Sequence, residues 1–302
     1  MSKNRIIQLL LVLAGVFLAL LIWLAPRSQD EGSSEGQASM AESETLDHED
    51  HEGHEHEMEA AKAGEVSDQD RKWQEKLDNN PALLQAFKEG ESQAEKLDDP
   101  TERIDLYDSL MQMAIKENLP PYVAKFSRLK AETMPAPTNW MLAGDNYFKA
   151  FRLSKNQSSA MLEGAVNAYE QAVAMDPDYL DAKTALGVAY VEGAAILGEM
   201  PMKGIGILRE VLNIDPENVN AITNLGYFAI QSGQYEKAIE RFEQVLALDP
   251  NNAEAYLYLA DVNLSQGDNE KGIEHLEKYR DLMNDPIVDQ RVNQYIEEIR
   301  SN

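Results

Sequence analysis

The residues best suited to chemistry crowd into one short stretch, His48-Glu49-Asp50-His51-Glu52-Gly53-His54-Glu55-His56-Glu57, which holds four of the five histidines in the chain. Imidazole and carboxylate at this density can bind Zn, Ni or Cu, and no thiolate competes for the metal, because the 302 residues include no cysteine. Two readings follow. The stretch is either an acidic, solvated spacer that happens to carry histidines, or a weak, exchangeable metal-binding tract with His48, His51, His54 and His56 as ligands. A closed catalytic centre is not supported, since nothing in so polar a segment fixes ligand geometry. No other cofactor is called for.

Elsewhere the reactive residue types are scattered. His275 is the only histidine outside that tract, and without a partner imidazole or a thiol the serines have no evident activating base. Gly204-Ile205-Gly206 does not read as a phosphate loop, because no strand precedes it and no Gly-Lys-Ser/Thr follows. The many Asp and Glu residues are expected on solvated helix faces, so the chain is expected not to be an enzyme. A formal net charge of −26 also disfavours nucleic acid as a partner.

The elements that would carry the His/Glu tract divide into an anchor (1–27) and a linker (28–70). Ile6 to Ala25 is an uncharged apolar run, about the ~20 residues needed to cross a ~30 Å hydrocarbon layer. Lys3 and Arg5 before it favour a cytoplasmic N-terminus, which places the rest of the chain on the periplasmic side. A cleaved signal peptide is the rival reading, although its apolar region normally runs only ~7–15 residues. Lipoprotein attachment needs a cysteine and is excluded. Ser28 to Asp70 holds about fifteen acids against Lys62 alone, lacks any helical or strand period, and reads as an extended, self-repelling spacer.

From residue 137 the pattern changes to helical hairpins, and 219–252 is the clearest. Ile222, Leu225, Ala229 and Ile230 form one helical stripe, Ile239, Phe242, Val245 and Leu246 a second, with Ser232-Gly233 between them and Asp249-Pro250 ending the unit. The same types recur at matching offsets in 253–286 (Tyr256, Leu259, Ala260, Gly267, Ile273, Leu276, Asp285-Pro286). They recur in 180–218 (Leu186-Gly187, Tyr190, Leu208, Val211, Asp215-Pro216) and in 137–179 (Trp140, Ala143-Gly144, Tyr147, Ala165, Tyr169, Ala172, Asp176-Pro177). Extra residues fall near Lys155 to Ser159 and Gly193 to Gly198. A lone hairpin cannot bury its apolar stripes, so the units must stack. Gly144, Gly187, Gly226, Ala165, Ala238 and Ala260 are the expected points of close helix approach. Gly204 and Gly206 are expected to weaken their helix by up to ~1 kcal/mol each against alanine.

Segment 71–136 is helical but less regular. Asn80-Pro81 and Asp99-Pro100-Thr101 read as helix starts, and Pro120-Pro121 opens a helix running to about Thr133. Ala124 and Ala131, seven apart, suggest a degenerate repeat, with Arg128 where an aromatic is usual. Segment 287–302 forms a capping helix with Val288, Val292, Tyr295 and Ile299 on one stripe.

The tryptophan, Leu-Gly, tyrosine, alanine, aromatic and proline positions resemble the tetratricopeptide repeat (TPR) family. Ala143, Lys183, Gly204 and Gly272 depart from its pattern, as do the two insertions. The resemblance implies an all-α solenoid of four repeats (137–179, 180–218, 219–252, 253–286). With its single anchor, the layout resembles TPR components of bacterial envelope assembly, including those that escort apocytochromes during cytochrome c maturation. In that family the first helix of each hairpin lines a concave groove that binds protein or peptide partners. Here this implies a groove of Met141, Asp145, Phe148 and Lys149, then Thr184, Val188 and Val191, then Thr223, Tyr227 and Ile230, then Leu257, Asp261 and Leu264. One of these is basic. An acidic C-terminal peptide is therefore disfavoured, and an apolar or basic partner segment fits better. The alternative occupant is the helix Pro81 to Ala94, folded back into the groove. A metal-handling envelope protein working through His48 to Glu57 is the competing function.

Overall fold

The structure is a computed structural model, and it describes residues 68–155 and 158–301. Among the described residues every regular element is a helix. In order these are α1 (Asp68–Asp78), α2 (Pro81–Ala94), α3 (Pro100–Lys116), α4 (Pro120–Thr133), α5 (Pro137–Leu153), α6 (Ser159–Met175) and α7 (Leu180–Glu192). Then follow α8 (Ala194–Leu197), α9 (Met202–Ile214), α10 (Val219–Gln231), α11 (Tyr235–Leu248), α12 (Ala253–Ser265), α13 (Asn269–Met283) and α14 (Pro286–Ser301). Residues 28–67 of the linker, the His/Glu tract and the run Ile6 to Ala25 lie outside the described residues, whereas 68–70, read from the sequence as linker, form the first turn of α1. No described helix is long and apolar enough to cross a membrane.

The repeats pair α5 with α6, α7 with α9, α10 with α11 and α12 with α13. Each Asp-Pro corner does more than stop a helix. The side chains of Asp176, Asp215 and Asp249 accept from the backbone N–H groups of Asp178, Glu217 and Asn251 at 3.0–3.1 Å, closing an Asx turn that redirects the chain into the next hairpin. Asn218 and Asn252 then cap α10 and α12 by accepting from Ala221 and Ala255 at 3.0 and 2.9 Å. At the turns inside the last two hairpins, Gly233 and Gly267 adopt φ of 72° and 83°, where a Cβ would be strained.

The close approaches fall where the small residues predict them. A Cβ on Gly144 would meet the Tyr169 ring at 2.4 Å, and one on Gly226 the Phe242 ring at 2.8 Å. Gly204 reverses its sequence expectation. Its Cβ would sit 2.2 Å from the Gly187 carbonyl oxygen and 2.7 Å from Val191, so this glycine lets α7 and α9 touch backbone to backbone. Gly206 has open space around it, and only there does the helix-propensity argument stand. The extra residues of the second repeat form α8, which ends at Gly198 in the left-handed region.

Which helices line the inside follows from who touches whom. α5 reaches α7, α7 reaches α10 and α10 reaches α12, whereas successive second helices make no comparable contact among the described residues. The first helices therefore form the inner layer of the curve. Upstream, α2 packs on α3, and its Phe87 lies 4.7 Å from Tyr122 and 5.4 Å from Phe126 of α4, ring centre to ring centre. Pro81–Ala94 thus belongs to an N-terminal core and does not lie back in the groove. Ala124 and Ala131 are fully buried, and Arg128, at the unusual position, donates from Nε to the Tyr147 hydroxyl at 3.3 Å. At the other end, Val292 and Ile296 of α14 bury against Leu276 and Tyr279, covering the last hairpin.

Candidate functional site: the concave face

The inner layer has two dissimilar halves. In the first, α5 presents Met141, Asp145, Phe148 and Lys149, and α7 presents Thr184, Val188 and Val191. Three of these are not available to a partner, because Phe148, Thr184 and Val188 are only 7%, 1% and 6% exposed. Phe148 has a specific cover. Arg152 lays its guanidinium 4.5 Å above the Phe148 ring and grips Glu192 through two hydrogen bonds, Nε to Oε2 at 3.1 Å and Nη2 to Oε1 at 2.5 Å. Burial would lower the Arg152 pKa, but Glu192 outweighs it and the guanidinium is held above its ordinary value. Asp145 accepts from the Tyr169 hydroxyl at 3.0 Å. Burial, then that carboxylate, pushes Tyr169 well above the usual tyrosine range.

Sequence reasoning missed Arg152 and Glu192, although a signal existed. α5 has 17 residues where α7, α10 and α12 each have 13, so part of the supposed insertion is an extra helical turn. Arg152 sits in that turn, four residues after Phe148 and on its face.

The second half is open. Thr223, Tyr227, Ile230, Leu257, Asp261 and Leu264 are all half-buried. The Tyr227 ring centre lies 5.6 Å from Phe228 and 5.8 Å from Tyr258, which stacks on Phe242 at 4.8 Å. This aromatic ladder joins α10, α11 and α12. Leu264 leans onto Gly272, where a Cβ would be 2.5 Å away, so its contribution is partly structural. Asp261 makes no hydrogen bond or ion pair among the described residues, and burial raises its pKa. The Tyr227 hydroxyl is raised by burial first and then by Glu192, with Asp261 also contributing. Burial followed by Asp261 does the same to Tyr295 of α14. The charge of Asp261 thus raises both tyrosine hydroxyls. The sequence expectation named Asp261 and Tyr227 on one face and had no means of adding Tyr295.

Two other places offer less. A recess of about 490 Å³ at the α13–α14 turn is lined by Arg280, Asp281, Asn284, Asp285, Pro286 and Asp289. Its cation is already paired with Asp281 at 2.9 Å and Asp289 at 3.5 Å. Among the described residues no group of three or more His, Asp or Glu side chains is placed to hold a metal ion. His48, His51, His54 and His56 lie outside them.

Inner helices of hairpin repeats with Asp-Pro corners are the pattern of one family, and residues 207–240 and 229–290 match its repeat profiles, each described as tetratricopeptide repeat. Residues 207–290 carry TPR repeats. Similar solved structures include PilW, described as a widely conserved type IV pilus biogenesis factor, at TM-score 0.50 and 16% identity over 66% of this chain and 86% of that one. TTC0263, a thermophilic TPR protein of Thermus thermophilus, superposes at TM-score 0.48 and 17% identity over 63% and 97%. YrrB, described as a TPR protein with an unusual peptide-binding site, gives 0.41 and 19% over 63% and 91%. At such identities the likeness is one of fold. No curated protein matches the TPR chain by sequence.

Proposed function

We propose that this chain is a non-catalytic scaffold which holds a protein or peptide partner on the inner face of its TPR stack. The observation that carries the reading is the half-exposed apolar strip of Thr223, Tyr227, Ile230 and Leu257, which lies on consecutive inner helices with α2 packed elsewhere. Apolar strips of this kind are where partners dock. The sequence of residues 1–70 adds the setting: a membrane anchor at Ile6 to Ala25, an acidic spacer, and repeats held outside the cytoplasm, in the service of envelope complex assembly.

The test is site-specific photo-crosslinking in intact cells. A photoreactive side chain at Thr223 or Ile230 should give a discrete partner adduct that is absent when the probe stands at exposed Glu240 on α11. Adducts of equal yield at all three positions would remove the inner-face reading. Protease added outside the inner membrane should release the repeats at the spacer, and full protection there would reverse the topology.

A further inference from the structure

The reading above names a face but not what it recognises. The geometry points to a cation subsite in the second half of that face, where Asp261 of α12, on the next inner helix after that of Tyr227, takes a Lys or Arg side chain of the bound segment. The inference rests on the inner-face reading and goes beyond it by naming the chemistry of one anchor.

The argument is charge complementarity at a place where the protein leaves charge unanswered. Lys149 is exposed to solvent, and four further charged groups of the inner layer invite comparison. Arg152 and Glu192 answer each other through two hydrogen bonds, and Asp145 holds the Tyr169 hydroxyl. Asp261 alone among these four has no hydrogen-bond or ion-pair partner in the described structure, yet it is half-buried at mid-helix in α12. A buried carboxylate without a partner costs stability. Its surroundings supply what a cation wants besides the carboxylate. Leu257, one turn earlier, and Tyr295 of α14 pack against one apolar cluster that can cover an aliphatic stem, and the Asp261 charge acts on the Tyr227 and Tyr295 hydroxyls. Arg152, the cation on α5 of the same inner layer, is already committed to Glu192. An acidic ligand group here would meet both Asp261 and the −26 net charge of the chain.

A dodecapeptide phage library selected in parallel on the full chain in detergent and on its Asp261→Asn variant tests this. Wild-type selection should enrich Lys or Arg between apolar residues, and those peptides should bind Asp261→Asn at least tenfold more weakly while still requiring Ile230, as judged with Ile230→Glu. Asp261→Lys should shift the enrichment to acidic peptides. Because Asp261 supports no partner within the chain, Asp261→Asn should melt at the same temperature as wild type or higher, so weaker binding is not explained by unfolding. Peptides that require Ile230 but bind Asp261→Asn as well as wild type overturn the cation subsite and leave the inner-face reading standing. Failure to select any peptide that requires Ile230 overturns both.

Discussion

The two halves of the inner helix layer use similar residue types to opposite ends. Around α5 and α7 an arginine and a glutamate pair with each other over a phenylalanine, and the side chains beneath are sealed in. Around α10 and α12 a carboxylate stands among tyrosines with nothing to pair with. By charge alone α5 and α7 balance, three acids against three cations, whereas α10 and α12 carry Glu254 and Asp261 with no cation. What separates them is pairing: a charge met inside the chain closes a surface, and one left unmet keeps it open. The extra turn of α5 is enough to make that difference, because it alone brings Arg152 into reach of Glu192.

The strongest way to break the closed half is through the backbone contact beneath it. Gly204→Ala should destabilise the protein by an amount at or above the upper end of the ~1–3 kcal/mol typical of overpacking, since a carbonyl oxygen at 2.2 Å from the new Cβ cannot rotate away. Gly206→Ala, two residues along the same helix, should stabilise by up to ~1 kcal/mol. Opposite shifts in the two thermal melts are the expected result, and equal shifts would mean that α7 and α9 do not touch as described. Gly226→Leu in the open half should fall between them, at ~1–3 kcal/mol, because the Phe242 ring it meets at 2.8 Å can tilt.

Opening the closed half chemically should cost less. Arg152→Met keeps an aliphatic stem over Phe148 but leaves Glu192, whose side chain is only 12% exposed, without its partner. A loss of ~1–3 kcal/mol is expected, below that of a fully buried pair because Arg152 is itself 33% exposed. Adding Glu192→Gln should recover part of it. A double variant as unstable as the sum of the singles would show that the two side chains do not act together. The same double variant should expose Phe148 and extend the apolar strip into the first two repeats, measurable as increased binding of a hydrophobic dye.

How far the sequence carried these conclusions depended on whether a feature was local. Helix starts at Asn80, Asp99 and Pro120, the hairpin boundaries and the glycine contacts at Gly144 and Gly226 were legible, because caps, prolines and small residues act on their own neighbourhood. Gly204 was misread. Helix propensity is a property of one helix, and the Gly187 backbone that makes this glycine necessary is seventeen positions earlier in the chain. The Arg152–Glu192 pair was missed for the same reason, its members standing forty positions apart. Of the inner-face residues, composition could name Tyr227 and Asp261 but could not tell them from Phe148 and Val188, since exposure was decided by a partner on another helix.

The subtlest consequence of the comparison is a pH dependence confined to the open half. Burial raises the Asp261 pKa above its ordinary value of 3.8, and burial also raises Glu254 on the same helix, opposed in part by a hydrogen bond from Tyr258. A carboxyl that holds its proton more tightly folded than unfolded adds stability that is complete below the unfolded value and is lost as pH rises through the folded value. His275 works the other way. Burial lowers its pKa from 6.5, its Nδ1 is buried without a partner, and it faces Glu243, Glu274, Lys271, Asp268 and the Tyr256 ring. Its contribution is present above the ordinary value and lost as pH falls through the lowered one. The two trends overlap, so a melt of wild type alone separates nothing. The difference between Asp261→Asn and wild type does, because His275 and Glu254 are common to both. The variant's advantage in melting temperature should be smallest near pH 4 and should widen toward pH 7 as the wild-type carboxyl loses its proton inside the fold. A gap that stays constant over that range would mean Asp261 is as well solvated as any surface carboxylate, and the contrast between a closed and an open half of the groove would lose its physical basis.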